Sequence, residues 1–156
     1  MNSPISIILP SPENTARLAV DLAGRLEPGD VILLDGPIGS GKTHFARSLI
    51  QASLPEPEDV PSPTFTLIQV YDTGSHEIWH ADLYRLTSQD EVEELGLVEA
   101  FETAACVVEW PEKLGDLRPA TALTVQFQTL PDAEDARQLT LTWSNPKWDE
   151  KLEFLA

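Results

Sequence analysis

Val31-Ile32-Leu33-Leu34-Asp35-Gly36-Pro37-Ile38-Gly39-Ser40-Gly41-Lys42-Thr43 is the stretch on which the reading of this chain turns. Residues Gly36 to Thr43 satisfy the phosphate-loop pattern G-x-x-x-x-G-K-[ST] without a mismatch. Glycines let the main chain turn its N–H groups inward around a phosphate, and the N-terminus of a following helix adds partial positive charge. Gly36, Pro37, Ile38, Gly39, Ser40 and Gly41 would form the cradle. Lys42 would reach the outer phosphates, and the Thr43 hydroxyl would hold a magnesium ion.

The flanks agree with the motif. Val31 to Leu34 is a β-branched and apolar run with no polar break, as in a strand buried on both faces of a parallel sheet. Beyond the loop, Phe45, Leu49 and Ile50 fall at helical spacing. Strand, glycine loop and helix in this order predict binding of a nucleoside triphosphate.

The chain has 156 residues, one domain's worth, with 42% hydrophobic and 23% charged residues. A single domain over residues 1–156 is expected. Its unbroken apolar runs are too short to cross a bilayer. Met1-Asn2-Ser3-Pro4 lacks the basic start of a signal peptide, so a cytoplasmic location without membrane association is expected. Cys106, alone and in an apolar run, fits a reducing compartment and reads as a small core hydrophobe. The net charge of −16 argues against an extended nucleic-acid groove and suits either solubility or a basic protein partner.

Ile5 to Leu9 reads as a first strand, and Ser11-Pro12 opens a helix with Leu18, Leu22 and Leu26 as its apolar stripe. Leu54 to Pro63 carries four prolines and is neither helix nor central strand. It is a stiff surface loop that delivers the next residues to a defined place. Thr64 to Tyr71 and Glu77 to Leu83 predict a hairpin across Asp72-Thr73-Gly74-Ser75. Gln89 to Leu95 and Val98 to Phe101 are expected to be helical with a break at Gly96, and Ala105 to Val108 a second fully buried strand. Leu123 to Leu130 and Leu139 to Trp143 predict a late antiparallel pair joined by an acidic turn over Pro131 to Asp135. Lys147 to Leu155 predicts a short helix.

Hydrolysis or transfer needs a carboxylate to complete the metal shell and a group to orient the nucleophile. In open α/β sheets ligands lie outside the C-terminal ends of the strands, which singles out Asp82 and Glu109. Glu109 stands between an apolar strand and Trp110-Pro111. Asp82 reads equally as a solvated acid at a strand end, in a chain with 26 acidic residues. Thr64 and Thr66 emerge from the proline loop as a γ-phosphate-sensing threonine would, or as ordinary strand residues. Arg85 either neutralises phosphate charge or forms a salt bridge. His44, His76 and His80 lack the spacing of a zinc site. Trp79, Trp143 and Trp148 read as packing residues.

Gly36 to Thr43, Ser62-Pro63-Thr64-Phe65, His80-Ala81-Asp82-Leu83-Tyr84-Arg85-Leu86 and Val108-Glu109-Trp110-Pro111-Glu112, in this order, resemble the bacterial TsaE family, formerly YjeE. The resemblance implies an α/β fold, a P-loop NTPase domain with a mixed, mainly parallel central sheet flanked by helices and a late antiparallel strand pair. It implies an ATPase, weak alone and stimulated by partners, in the tRNA N6-threonylcarbamoyladenosine (t6A37) machinery, with ATP/ADP and Mg2+ as ligands. TsaB and TsaD are the implied partners, TsaD carries the transfer chemistry, and tRNA is reached only through the complex. Thr43 and Glu109 look like the magnesium ligands, and Asp82, Glu109 and Lys42 like the residues supporting hydrolysis. Thr64 lies in the switch-like segment, and Trp110 matches the family's tryptophan beside the metal acid. Pro37-Ile38-Gly39-Ser40 departs from the family's usual Asp-Leu-Gly-Ala.

Two other readings compete. A small-molecule P-loop kinase normally carries an arginine-bearing lid, and here Arg118 and Arg137 stand apart in sequence. A regulatory GTPase needs N-K-x-D; Asn145-Pro146-Lys147-Trp148-Asp149 has the wrong spacing. Adenine specificity has no local signature, although the first helix and the turn Pro131 to Arg137 are candidate base contacts.

Overall fold

A computed structural model describes residues 3–63 and 66–155. Among the described residues seven strands form one sheet in the order β1-β7-β6-β2-β5-β4-β3. They are β1 (Ile5–Leu9), β2 (Val31–Asp35), β3 (Ile68–Asp72), β4 (Glu77–Asp82), β5 (Ala105–Glu109), β6 (Leu123–Leu130) and β7 (Ala133–Thr142). The helices are α1 (Pro12–Ala23), α2 (Lys42–Ser53), α3 (Gln89–Glu94), α4 (Leu97–Thr103) and α5 (Lys147–Lys151). The central strands β4, β5, β2 and β6 run parallel, while β3, β7 and β1 are added antiparallel to their neighbours.

The unbroken apolar run of β2 has the predicted cause, because both faces of the strand are covered. Ile32 and Leu34 pack into a core with Leu22, Phe45 and Leu49 from α1 and α2. Val31 and Leu33 point the other way, against Val92, Leu97 and Leu114. Parallel register then fixes the site. Leu34 pairs with Glu109 and Asp82 pairs with Glu109, so two carboxylates end adjacent strands beside the loop that follows β2.

Helix α1 starts as its sequence dictates, with the Ser11 hydroxyl accepting from the Asn14 N–H at 3.3 Å and Pro12 in the first turn. The C-terminal segment is clamped to the start of β2. Asp30, 3% exposed, takes ion pairs from Lys147 at 2.9 Å and Lys151 at 2.7 Å. Trp148 is fully buried and donates to the Thr121 carbonyl at 2.8 Å, while Trp143 donates to Asp149. Both are packing residues, as expected.

Several elements differ from the sequence reading, among them the last helix, where α5 ends at Lys151 and a 3-10 turn, Glu153–Leu155, follows. β3 begins at Ile68, because Leu67 at φ 69° turns the chain and its N–H closes onto the Pro63 carbonyl. β7 begins at Ala133, six residues before the expected start, and the connecting turn shrinks accordingly. Residues Ala133 to Gln138 have weak strand propensity, but Arg137 and Gln138 pair with β1 on one side and β6 on the other, and pairing overrides propensity. A 3-10 helix, Pro111–Leu117, follows β5 where no element was expected; it is interrupted at Gly115. Among the described residues no helix is long and apolar enough to cross a membrane.

Candidate functional site

The loop between β2 and α2 is shaped by its glycines. Gly41 caps α2 at φ 106°, a left-handed conformation that glycine adopts at little cost. A Cβ on Gly36 would lie 2.9 Å from the Phe127 carbonyl and 2.8 Å from the Ser40 hydroxyl, so only glycine fits there. No side chain caps α2, whose first internal bond runs from the Phe45 N–H to the Gly41 carbonyl. The N–H groups of Lys42, Thr43 and His44 are therefore left without partners inside the helix. The Ser40 hydroxyl is buried without a hydrogen-bond partner among the described residues. Orphan donors at a helix start are what an anion binds.

A pocket of about 480 Å³ opens over this loop. It is lined by Ile38, Gly39, Gly41, Lys42, Thr43 and His44 from the loop and the start of α2, by Asp82, Tyr84, Glu109 and Trp110 from the ends of β4 and β5 and the residues after them, and by Ser62. The structure thus brings together Asp82, Glu109, Lys42, Thr43, Trp110, Ile38, Gly39 and Gly41, residues separated by up to 72 positions in sequence, while Gly36, Pro37 and Ser40 of the expected cradle are not part of the lining. Thr64 falls outside the described residues. Thr66 is exposed, and its hydroxyl accepts from the Gln69 amide at 2.9 Å.

Glu109 is the centre of the polar network. It is 1% exposed and accepts at 2.7 Å from the Thr43 hydroxyl and at 2.7 Å from His80 Nε2. A carboxylate is an acceptor, so the imidazole proton sits on Nε2; Nδ1 is buried with no partner among the described residues. Three side chains from α2, β4 and β5 are thereby held in one geometry.

Lys42 is also buried. Its ammonium donates to the Gly36 carbonyl and lies 3.3 Å from the centroid of the Trp110 ring. Burial pushes the ammonium below the usual lysine value, against the opposing pull of Glu109, Glu112, Asp35 and Asp82. Trp110 reaches this position because its backbone is left-handed at φ 62°, ψ 54°, directly after β5. A non-glycine residue pays about 1–2 kcal/mol for that conformation, and strain of this kind gathers at functional sites. Tyr84 packs on the same indole at 4.9 Å between ring centroids.

Asp82 is 6% exposed and accepts from the Tyr84 N–H at 3.0 Å. Burial raises its pKa above the ordinary aspartate value; the Tyr84 bond opposes this, and Glu109 adds to it. A carboxyl with a raised pKa is a better proton acceptor than an ordinary aspartate.

The donors suit a hard cation. One hydroxyl and one carboxylate in contact at 2.7 Å are the set that magnesium takes from a protein when phosphates and waters complete its shell. Among the described residues no group of three or more His, Cys, Asp or Glu could hold a metal by itself.

Sequence reasoning missed three participants. His80 opens the block that carries the family resemblance but has no role assigned from sequence, although its position two before Asp82 puts both on one face of β4. Tyr84 gave no separate signal. Arg137, far from the loop in sequence, donates to the Ser40 carbonyl at 3.0 Å. Nearby lies a smaller pocket of about 120 Å³, bordered by Pro12, Thr15, Gly41, His44, Asp135 and Arg137.

Comparison with known proteins gives a consistent picture. The profile of the family "Threonylcarbamoyl adenosine biosynthesis protein TsaE" matches residues 9–139. The chain is 36% identical over 149 residues to a tRNA threonylcarbamoyladenosine biosynthesis protein TsaE of Rickettsia felis, covering 96% of this chain and 85% of that one. The protein of the same name from Bacillus subtilis is 35% identical over 147 residues, covering 94% and 90%. The crystal structure of Bacillus subtilis YdiB superposes with a TM-score of 0.81 at 29% identity, covering 99% of this chain and 95% of that one.

Proposed function

This chain belongs to the TsaE family of tRNA threonylcarbamoyladenosine biosynthesis, and from that premise we propose that it is the family's magnesium-dependent ATPase, working with TsaB and TsaD. The observation that carries the reading is the Thr43–Glu109–His80 chain of hydrogen bonds at the uncapped start of α2. It joins phosphate donors to a metal-type carboxylate in a single pocket.

The residues divide the work. Main-chain N–H groups at the start of α2 bind the phosphates. Lys42 leaves the Trp110 ring for the outer phosphates, since a cation–π contact is worth about 0.5–2 kcal/mol and a hydrogen bond between charged groups about 1.5–3 kcal/mol. Thr43 and Glu109 would hold magnesium, which supplies charge neutralisation on the phosphate oxygens when bound. His80 keeps the Glu109 carboxylate in one orientation, as partners of metal ligands do. Asp82 orients the attacking water and takes its proton. Trp110 and Tyr84 shield the Lys42 ammonium from solvent. The small pocket between α1, the start of α2 and β7 suits the adenine base, with α1 and Arg137 among the contacts considered from sequence.

A protein that hydrolyses ATP slowly when alone resets a larger assembly better than it processes a metabolite. The acidic surface, at net −16, leaves tRNA to the partners. The test is a calorimetric titration with ADP in the presence and absence of magnesium, followed by phosphate release from ATP with and without added TsaB and TsaD. Magnesium-dependent binding and partner-stimulated release are expected. Rapid phosphorylation of a metabolite by the isolated protein would favour a kinase instead.

A further inference from the structure

Arg137 holds the phosphate loop from outside the site. Its Nε donates to the Ser40 carbonyl at 3.0 Å and one terminal nitrogen to the Gly39 carbonyl at 3.4 Å. The other terminal nitrogen donates to the carbonyls of Glu134 and Ala136, each at 2.8 Å. In a chain with 26 acidic residues, this guanidinium has four main-chain carbonyls and no carboxylate partner among the described residues. Its own backbone is fixed on both sides, opposite Leu9 in β1 and Thr129 in β6.

The consequence follows from peptide geometry. A trans peptide points its C=O and its N–H in opposite directions. Holding the Gly39 and Ser40 oxygens toward Arg137 turns the N–H groups of Ser40 and Gly41 away from it. The Ser40 N–H is taken by the Pro37 carbonyl at 3.2 Å. The Gly41 N–H has no partner among the described residues, and it is the last amide before Lys42. Gly39 and Gly41, at φ 79° and 106°, leave this segment many conformations to choose from, so an outside support selects one. Among the described residues Arg137 is absent from the lining of the 480 Å³ pocket.

We propose that Arg137 is a positioning residue: its forked guanidinium sets the two peptide planes ahead of Lys42, so that the Gly41 N–H is presented to a bound phosphate. The proposal rests on the reading that the loop grips a nucleotide's phosphates.

Inorganic tripolyphosphate, which has neither base nor sugar, separates the two. Its affinity and that of ADP are measured by calorimetry, with magnesium, for the wild type, Arg137→Gln and Arg137→Lys. Arg137→Gln is expected to weaken both ligands by a common factor of about ten. Arg137→Lys keeps the charge without the fork and is expected to recover only part of that loss. Thermal melting checks folding. If the glutamine variant does not fold, the lysine variant decides, with faster hydrogen exchange of the Ser40 amide, now bonded to the Pro37 carbonyl, as the expected result.

Loss of ADP affinity alone would make Arg137 a wall of the small base pocket and overturn the proposal. Full recovery in Arg137→Lys would reduce it to a charge effect and overturn it equally. Wild-type affinity in Arg137→Gln would end the proposal and leave the nucleotide reading standing. A wild type that binds neither probe would overturn both.

Discussion

Replacing Glu109 separates its chemical from its structural role, because two substitutions are expected to act differently. Glu109→Ala removes the acceptor of two hydrogen bonds, each 2.7 Å long. The Thr43 hydroxyl borders the pocket and can turn to water. His80 is fully buried and its Nδ1 already has no partner, so its Nε2 proton would be stranded. A buried donor without a partner costs about 1–3 kcal/mol. At about 2–4 °C per kcal/mol for a protein of this size, melting should fall by about 2–12 °C.

Glu109→Gln keeps the volume. Its amide oxygen can go on accepting from His80 Nε2 while its NH2 donates to the Thr43 hydroxyl, which rotates to accept. Both hydrogen bonds at this position are kept, with the direction of the Thr43 bond reversed. Stability should therefore change by under about 1 kcal/mol. Magnesium, which prefers charged oxygen ligands, should lose about tenfold or more in its enhancement of ADP binding. The assay is scanning fluorimetry on both variants beside ADP calorimetry with and without magnesium. Undiminished magnesium enhancement in Glu109→Gln would remove Glu109 from the metal shell. A glutamine variant that melts as low as the alanine variant would refute the hydrogen-bond reasoning.

Lys42→Ala should weaken ADP binding by about tenfold or more while shifting stability by no more than about 1 kcal/mol, read by calorimetry and melting; equal ADP affinity would remove Lys42 from the phosphates. Adding ADP with magnesium should change tryptophan fluorescence as the Lys42 ammonium leaves the ring 3.3 Å away, and Trp110→Phe should abolish that change; a change that survives must come from another tryptophan. Asp82→Asn should slow hydrolysis yet raise the melting temperature at neutral pH. Burial raises the Asp82 pKa in the fold, so the native state binds the proton more tightly than the unfolded chain does. That carboxyl's contribution to stability is full below the unfolded pKa and declines as pH rises through the folded one. The gain from Asp82→Asn should accordingly shrink on acidification, and a gain that grows instead would contradict the sign.

The sequence made legible what is local. The phosphate loop, its strand and its helix are contiguous, and β2 and β5 announce their burial by apolar runs covered on both faces. Glu109 and Asp82 could be picked out because strand ends are identifiable without knowing strand order. Their adjacency could not, since it depends on β4 pairing with β5 in one particular parallel register. The same register brings His80 to Glu109, and composition near His80 gives no hint of it. Arg137 was hidden because a segment of weak strand propensity becomes part of β7 only when β1 and β6 pair with it. The 3-10 helix after Trp110 escaped notice because short helices of that type carry no long apolar period.

The central claim is that main-chain amides ahead of Lys42 grip a nucleotide's phosphates while Glu109 stands across the cation. A crystal structure with magnesium and a non-hydrolysable ATP analogue tests it most directly. The predicted result has the β- and γ-phosphates at the start of α2, the metal on Thr43 Oγ1 and a Glu109 oxygen, and Lys42 moved off Trp110. Phosphates bound elsewhere on the molecule, or a metal with Glu109 still bonded to Thr43 and remote from it, would contradict it.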